Sequence, residues 1–277
     1  MQDHVTLKGG VDIPKIGCGT WQLRATECAQ IVAEALRLGY RHIDTAQGYE
    51  NEAAVGEGIR ASGIPRDEIF ITTKVRPDFA ADGALQKSTE DSLKRLGTGV
   101  IDLLLLHWPS PTVSVSESAR ALSDAKSLGL TKHIGVSNLT IAKLDEAIRS
   151  SPQPLVAAQI EYHPYLNQSR LLAAIRGHGL AVIAYCPIAL GKVANDPHLV
   201  EIGAMHNNTA AQVTLRWLIQ QDDVAAIPKT AQPARLRENL SVFDFRLSDI
   251  EMREISRLVR PNSRLVNEPQ WVPEWDD

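Results

Sequence analysis

Polar and apolar positions alternate along the chain in a regular rhythm of short apolar runs and longer amphipathic stretches. Runs of strand character occur at RHIDT, IFITTKV, DLLLLHW, KHIGVS, AAQIEY, LAVIAYC, VAAIPK and SVFDF. Between them CAQIVAEALRLG, ALQKSTEDSLKRLG, TIAKLDEAIRS, SRLLAAIRGHG and TAAQVTLRWLIQQ repeat apolar residues at spacings of three and four, the period of a helix with one buried face. Gly39, Gly97, Gly129 and Gly179 stand where helices should close. Thr140, Ser169 and Thr209 are expected N-caps, and Ser248 with Glu251 makes a capping box before the last helix. Near-continuous apolar strands alternating with amphipathic helices imply a parallel sheet covered on its outer face. Eight such units without a linker or composition break favour one closed α/β barrel, a (β/α)8 TIM barrel forming a single domain over residues 1–277, over a doubly wound sheet. The leading segment HVTLKGGVDIPKIGCGT is expected to add an N-terminal β-hairpin turning at Gly9-Gly10.

Composition narrows the functional classes. Hydrophobic residues at 44% and charged residues at 22% are ordinary for a globular protein, so disorder and fibrous folds are excluded. A formal net charge of -4 gives no electrostatic reason to expect nucleic acid or an anionic membrane as partner. No apolar run approaches a membrane span of about 20 residues, and MQDHVTLKGG lacks the regions of a signal peptide. A cytoplasmic monomer acting on a small molecule is the expectation. Cys18, Cys28 and Cys186 are widely spaced without a CxxC, which points to reduced, structural thiols.

Three apolar runs end in ionisable residues: Asp44 in HIDTA, Lys74 in IFITTK and His107 in DLLLLH, with Tyr49 shortly after the first. Barrel enzymes build their sites at the carboxyl ends of the strands, so these residues would converge. Singly each has a plainer role: a cap for Asp44, an amphipathic wall for Tyr49, a strand end for Lys74, a core histidine for His107. On consecutive units the shared site is the better reading. A free tyrosine, at about 10, is a weak acid near neutrality, and a nearby ammonium favours its phenolate. Moving it by about two pH units takes about 2.7 kcal/mol. A unit charge about 4 Å away at an effective dielectric of about 20 supplies about 4 kcal/mol, enough for Lys74 alone. Asp44 would keep Lys74 charged, and His107 would hold a carbonyl oxygen as negative charge develops.

Lys229 and Thr230 end VAAIPK, and Arg235, Glu238 and Asn239 follow in ARLREN. Phosphate sites of these barrels commonly lie after strands seven and eight, so this segment is a candidate phosphate cradle or else a solvated basic helix start. No strand-associated GxGxxG and no HExxH occur, and the eight histidines show no metal-ligand spacing, so neither a Rossmann cofactor domain nor a metal site is expected. His163 reads as a structural loop residue.

On the motifs GCGTWQ, GYRHIDTAQGYENEAAVGEGI, ITTK, IDLLLLHWP, KHIGVSN, QIEYHP, VIAYCP and IPKTAQPARLRENLSVFDFRLS, the chain resembles the aldo-keto reductase family over essentially its whole length. Within that family it looks most like the bacterial 2,5-diketo-D-gluconate reductase B or methylglyoxal reductase type. The resemblance implies a catalytic tetrad of Asp44, Tyr49, Lys74 and His107, with Tyr49 protonating a carbonyl during hydride transfer. It implies that Ser137, Asn138 and Gln159 bind the nicotinamide carboxamide and that Tyr185 stacks on its ring. It further implies that Lys229, Thr230, Arg235 and Asn239, with Glu238 beside them, favour NADPH, and that Trp21 and Trp108 line the substrate pocket. Cys186 stands where many relatives carry serine, which puts one cofactor hydrogen bond in doubt. The short connections after HWP and YCP imply an open pocket for small polar aldehydes and ketones, edged or merely covered by Trp271 and Trp275. Two other functions fit the same residues: a Schiff-base aldolase using Lys74, and a cofactor-binding sensor or partner subunit without turnover.

Overall fold

The computed structural model describes residues 3–7 and 10–276. It begins with an antiparallel hairpin, β1 (His4–Leu7) paired with β2 (Val11–Pro14), and Gly10 takes the left-handed φ of 80° that its turn requires. Gly9, the other expected turn residue, lies outside the described residues. Eight parallel strands follow in chain order: β3 (Cys18–Gly19), β4 (His42–Asp44), β5 (Phe70–Val75), β6 (Ile101–Leu106), β7 (Thr131–Ser137), β8 (Leu155–Glu161), β9 (Ala181–Tyr185) and β10 (Val224–Ala226). Parallel bridges from Ile16 to Ala226 and from Gly19 to Lys229 join the first of these to the last, closing the barrel.

The apolar runs are buried on both faces, as a covered parallel sheet demands. Inward, Leu103, Leu105, Val156, Ile183 and Ala225 meet Val5, Val11 and Ile13 of the hairpin, so the hairpin plugs the barrel's amino end. Outward, the strands pack on helices. These are α1 (Ala25–Leu38), α2 (Glu52–Ser62), α3 (Ala84–Leu96), α4 (Val115–Ser127), α5 (Ile141–Ser150), α6 (Ser169–Gly177), α7 (Pro197–His206), α8 (Ala210–Ile219), α9 (Pro233–Leu240) and α10 (Asp249–Ser256). With the bottom plugged, the carboxyl end is left for a site.

Most of the expected punctuation is present. Thr140, Thr209 and Ser248 accept hydrogen bonds from the backbone N–H three residues on, and Glu251 completes the box at Ser248. Gly39, Gly97, Gly129 and Gly179 all have positive φ at helix ends. Ser169 is not a cap: it is the first residue of α6, and its N–H is taken by the Asn167 side chain.

The strand count of eight is right, but its members differ from expectation at both ends. SVFDF is not a strand: it opens with a 3₁₀ turn, Ser241–Phe243, that follows α9 directly, with Val242 buried and Phe243 and Phe245 packed against the core. The missing strand is Cys18–Gly19, hidden in sequence because it is two small residues long. Its glycine has a steric cause: a Cβ on Gly19 would stand 2.8 Å from the Ile227 carbonyl oxygen across the closing seam. Asp44, Lys74 and His107 therefore follow the second, third and fourth barrel strands, and Lys229 follows the eighth.

Replacing Gly19 by valine should force the seam apart. We expect a loss of about 2 to 3 kcal/mol of stability, read as a lower urea midpoint at unchanged slope.

Candidate active site

Each strand end delivers one polar group to the same point. Lys74 is fully buried, and its Nζ donates to Asp44 Oδ1 at 2.6 Å, to the Thr45 carbonyl at 2.8 Å and to the Tyr49 hydroxyl at 3.2 Å. The ammonium also sits 4.8 Å from the centre of the Tyr49 ring. His107 meets that ring edge-on with centroids 5.5 Å apart. Tyr49 is carried by a 3₁₀ turn, Gln47–Tyr49, whose placement is secured below it. The Gln47 amide donates to Ser88 and Ser92 of α3, while its carbonyl accepts the Arg76 N–H. Asn51 then ties the loop across the mouth by donating to the carbonyls of Thr20 and Leu23. The tetrad foreseen at Asp44, Tyr49, Lys74 and His107 is therefore one cluster.

The electrostatics differ from the expectation in one respect. Desolvation pulls the Lys74 ammonium down, yet Asp44 and Tyr49 together leave it above its ordinary value, so it stays charged. A charged amine does not favour the aldolase alternative, which needs a neutral one. Desolvation pushes the Tyr49 phenol up, Lys74 opposes this and Asp44 reinforces it, with the net displacement upward. The ammonium thus does not turn Tyr49 into a strong resting acid; it stands ready to stabilise the phenolate only once the proton has gone. Desolvation, then Lys74 and Arg76, hold His107 well below its usual range, so the imidazole is neutral and carries a single N–H.

A cavity of about 510 Å³ opens above the cluster, and it is far larger than the tetrad needs. Tyr49, His107, Ser137, Asn138, Gln159 and Tyr185 line its floor, and Lys229 and Arg235 line one end. Asn138, held at a left-handed φ of 59°, donates to the His107 carbonyl at 2.9 Å and accepts from the Tyr185 hydroxyl at 2.7 Å. The Gln159 amide donates to Asp44 Oδ2 at 2.8 Å, so it serves the tetrad as well as facing the cavity. Thr230, Glu238 and Asn239 lie behind the lining; Thr230 accepts the Gln232 N–H and stabilises the turn into α9. Desolvation pushes the Cys186 thiol up to about 12, so it faces the cavity as a neutral group, and all three cysteines are free.

Trp21 and Trp108 both line the cavity, as expected. The two tail tryptophans separate: Trp271 forms wall, whereas Trp275 packs behind Trp108 with centroids 6.1 Å apart. His163 is fully buried against Glu161 and is structural. Among the described residues there is no cluster able to hold a metal and no helix long and apolar enough to cross a membrane. Among the wall residues not foreseen are Arg76, Val266, Glu268 and Gln270. Arg76 had a signal, standing two positions beyond Lys74 at the same strand end. The tail residues had none, since nothing local says that a non-helical terminus returns to the mouth.

The model of the Aldo/keto reductase family matches residues 15–260, and the chain belongs to that family. It is an oxidoreductase. It is similar to methylglyoxal reductase DkgB of Escherichia coli O157:H7, 40% identical over 95% of this chain and 99% of that one. Morphine 6-dehydrogenase of Pseudomonas putida is 41% identical over 92% and 90% of the two chains. A crystal structure provisionally described as a 2,5-diketo-D-gluconic acid reductase B superposes with a TM-score of 0.97 at 46% identity, covering 100% of this chain and 98% of that chain. A crystal structure of a Gox0644 point mutant in complex with NADPH superposes with a TM-score of 0.90 at 35% identity, over 96% of this chain and 97% of that chain.

His42, one strand position below Ile43, is fully buried with Nε2 3.0 Å from the Thr72 hydroxyl, and desolvation lowers its value from 6.5 to about 4. The folded state therefore disfavours the imidazolium, and His107 acts in the same direction. The stability held at neutral pH is complete above about 6.5 and is lost as pH falls toward 4, with His42 alone accounting for about 3 kcal/mol. Urea unfolding at pH 7 and pH 4.5 should show this loss, and His42→Gln should flatten it.

Proposed function

We propose that the chain reduces small aldehydes or ketones to alcohols with NADPH, acting on dicarbonyls such as methylglyoxal or on diketo sugar acids, with Tyr49 as the general acid. The observation that carries this reading is the Tyr49 hydroxyl held 3.2 Å from an ammonium that is itself locked to Asp44 at 2.6 Å, at the floor of a large cavity. All four groups come from one chain, so the cluster needs no residue from a partner.

The residues present fit the cofactor. The cavity runs from the tetrad to two cations, Lys229 and Arg235, whose charges suit a phosphomonoester. At the floor, the Gln159 carbonyl and the Ser137 hydroxyl would take a carboxamide, with Asn138, bonded to the His107 carbonyl and the Tyr185 hydroxyl, beside them and Tyr185 against the ring. When bound, NADPH supplies a hydride to the carbonyl carbon. The substrate oxygen is received by Tyr49 and by the N–H of neutral His107, which hold it as charge develops. The phenol gives its proton to that oxygen, so the alcohol leaves neutral and the phenolate remains beside Lys74. Resting desolvation and product-side stabilisation act in opposite directions on Tyr49, so the acid is loaded at rest and its conjugate base is tolerated after transfer. Trp21, Trp108 and Trp271 exclude water from the reacting carbon.

Loss of NADPH absorbance with methylglyoxal and with a diketo sugar acid tests the reading. In Tyr49→Phe, kcat/KM should fall by roughly 10²- to 10⁴-fold while NADPH still binds, and unchanged turnover would sink the mechanism. Arg235→Leu should cut the preference for NADPH over NADH by roughly tenfold to a hundredfold, measured as a ratio of kcat/KM values.

A further inference from the structure

The last residue of β8 is a carboxylate that the tetrad does not use. Glu161 is buried, and its two oxygens accept the backbone N–H groups of Leu265 at 2.7 Å and Val266 at 3.0 Å, residues 104 and 105 positions further on. His163 Nε2 lies 3.0 Å from the first of those oxygens, and the Gln168 amide holds the Glu161 carbonyl at 2.8 Å. A buried carboxylate demands donors, and here the tail supplies two of them. The tail beyond α10 has no helix or strand of its own, so these bonds fix where it runs. Immediately after the clamp, Val266, Glu268, Gln270 and Trp271 become cavity wall. The far end is secured by Asp276, whose carboxylate accepts the Ile141 N–H at 2.7 Å.

We propose that Glu161 is a positioning residue that clamps the tail as a strap across the substrate end, and thereby sets how well bulky, aromatic carbonyl compounds are held. The kinetic part rests on the reading of the chain as a carbonyl reductase; the structural part does not.

The test uses the full chain carrying Glu161→Gln, which keeps the shape but turns an NH₂ toward one of the two tail N–H groups. Hydrogen exchange across 265–276 should quicken roughly tenfold or more, with β4 to β6 unchanged. KM for phenylglyoxal should rise about tenfold, while kcat for methylglyoxal and the Kd for NADPH stay within about twofold. Unchanged tail exchange, or an equal fall of kcat for both substrates without a KM effect, overturns the proposal. Val266→Pro removes one tail donor and leaves Glu161 in place, so it reports the same clamp should Glu161→Gln fold poorly. It should reproduce the KM rise, and the double variant should do no more than the larger single change; additive effects would contradict a shared strap. Faster tail exchange in a chain that reduces no carbonyl compound would leave the strap standing and remove the reductase reading instead.

Discussion

The ion pair between Lys74 and Asp44 is the constraint on which the site depends. Neither charge has access to water, and a lone buried charge is costly enough that each requires the other. Once paired, they organise their surroundings: Thr45 and Tyr49 take the remaining ammonium protons, and Gln159 covers the second carboxylate oxygen. The pair spans two adjacent strands, β4 and β5, whose register places Asp44 opposite Thr72 and so aims both side chains at one mouth. The geometry of the ion pair is thus inherited from the register of a sheet, and that of Tyr49 from the turn Gln47–Tyr49 above it.

Charge is balanced locally, which explains why the site can hold an ammonium, an imidazole and a phenol in contact without mutual disruption. Desolvation, reinforced by the ammonium's repulsion of a second positive charge, keeps His107 neutral. The same ammonium tolerates a phenolate beside it, although Tyr49 at rest is displaced toward the protonated form by desolvation. The arithmetic made from sequence treated the lysine alone and left out the water that the fold removes. Desolvation is a property of the assembled barrel and could not be read from IFITTK.

Residues at the ends of long apolar runs were legible because strand ends are marked by the change from apolar to polar side chains. Asp44, Lys74 and His107 carry that mark, and so do Ser137, Gln159 and Tyr185. The strand at Cys18–Gly19 carries no such mark, being too short to show a period and too small to look buried. SVFDF shows a false one, with alternating apolar residues in a segment that has no room to extend after α9. The tail was opaque for a different reason. Its course is dictated by acceptors far away in sequence, Glu161 above all, and a contact across more than a hundred positions leaves no local period.

The closing seam deserves a last consideration as a joint between the two halves of the cavity. Gly19 bridges to Lys229 across it, and Trp21 lies two residues beyond on the same strand exit. Lys229 and Trp21, both cavity walls, are therefore joined through one contact, with no side chain at Gly19 between the backbones. A side chain at Gly19 would press on the Ile227 carbonyl oxygen, and because Gly19 also pairs with Asp44 in the neighbouring strand, the seam and the ion pair share one backbone position.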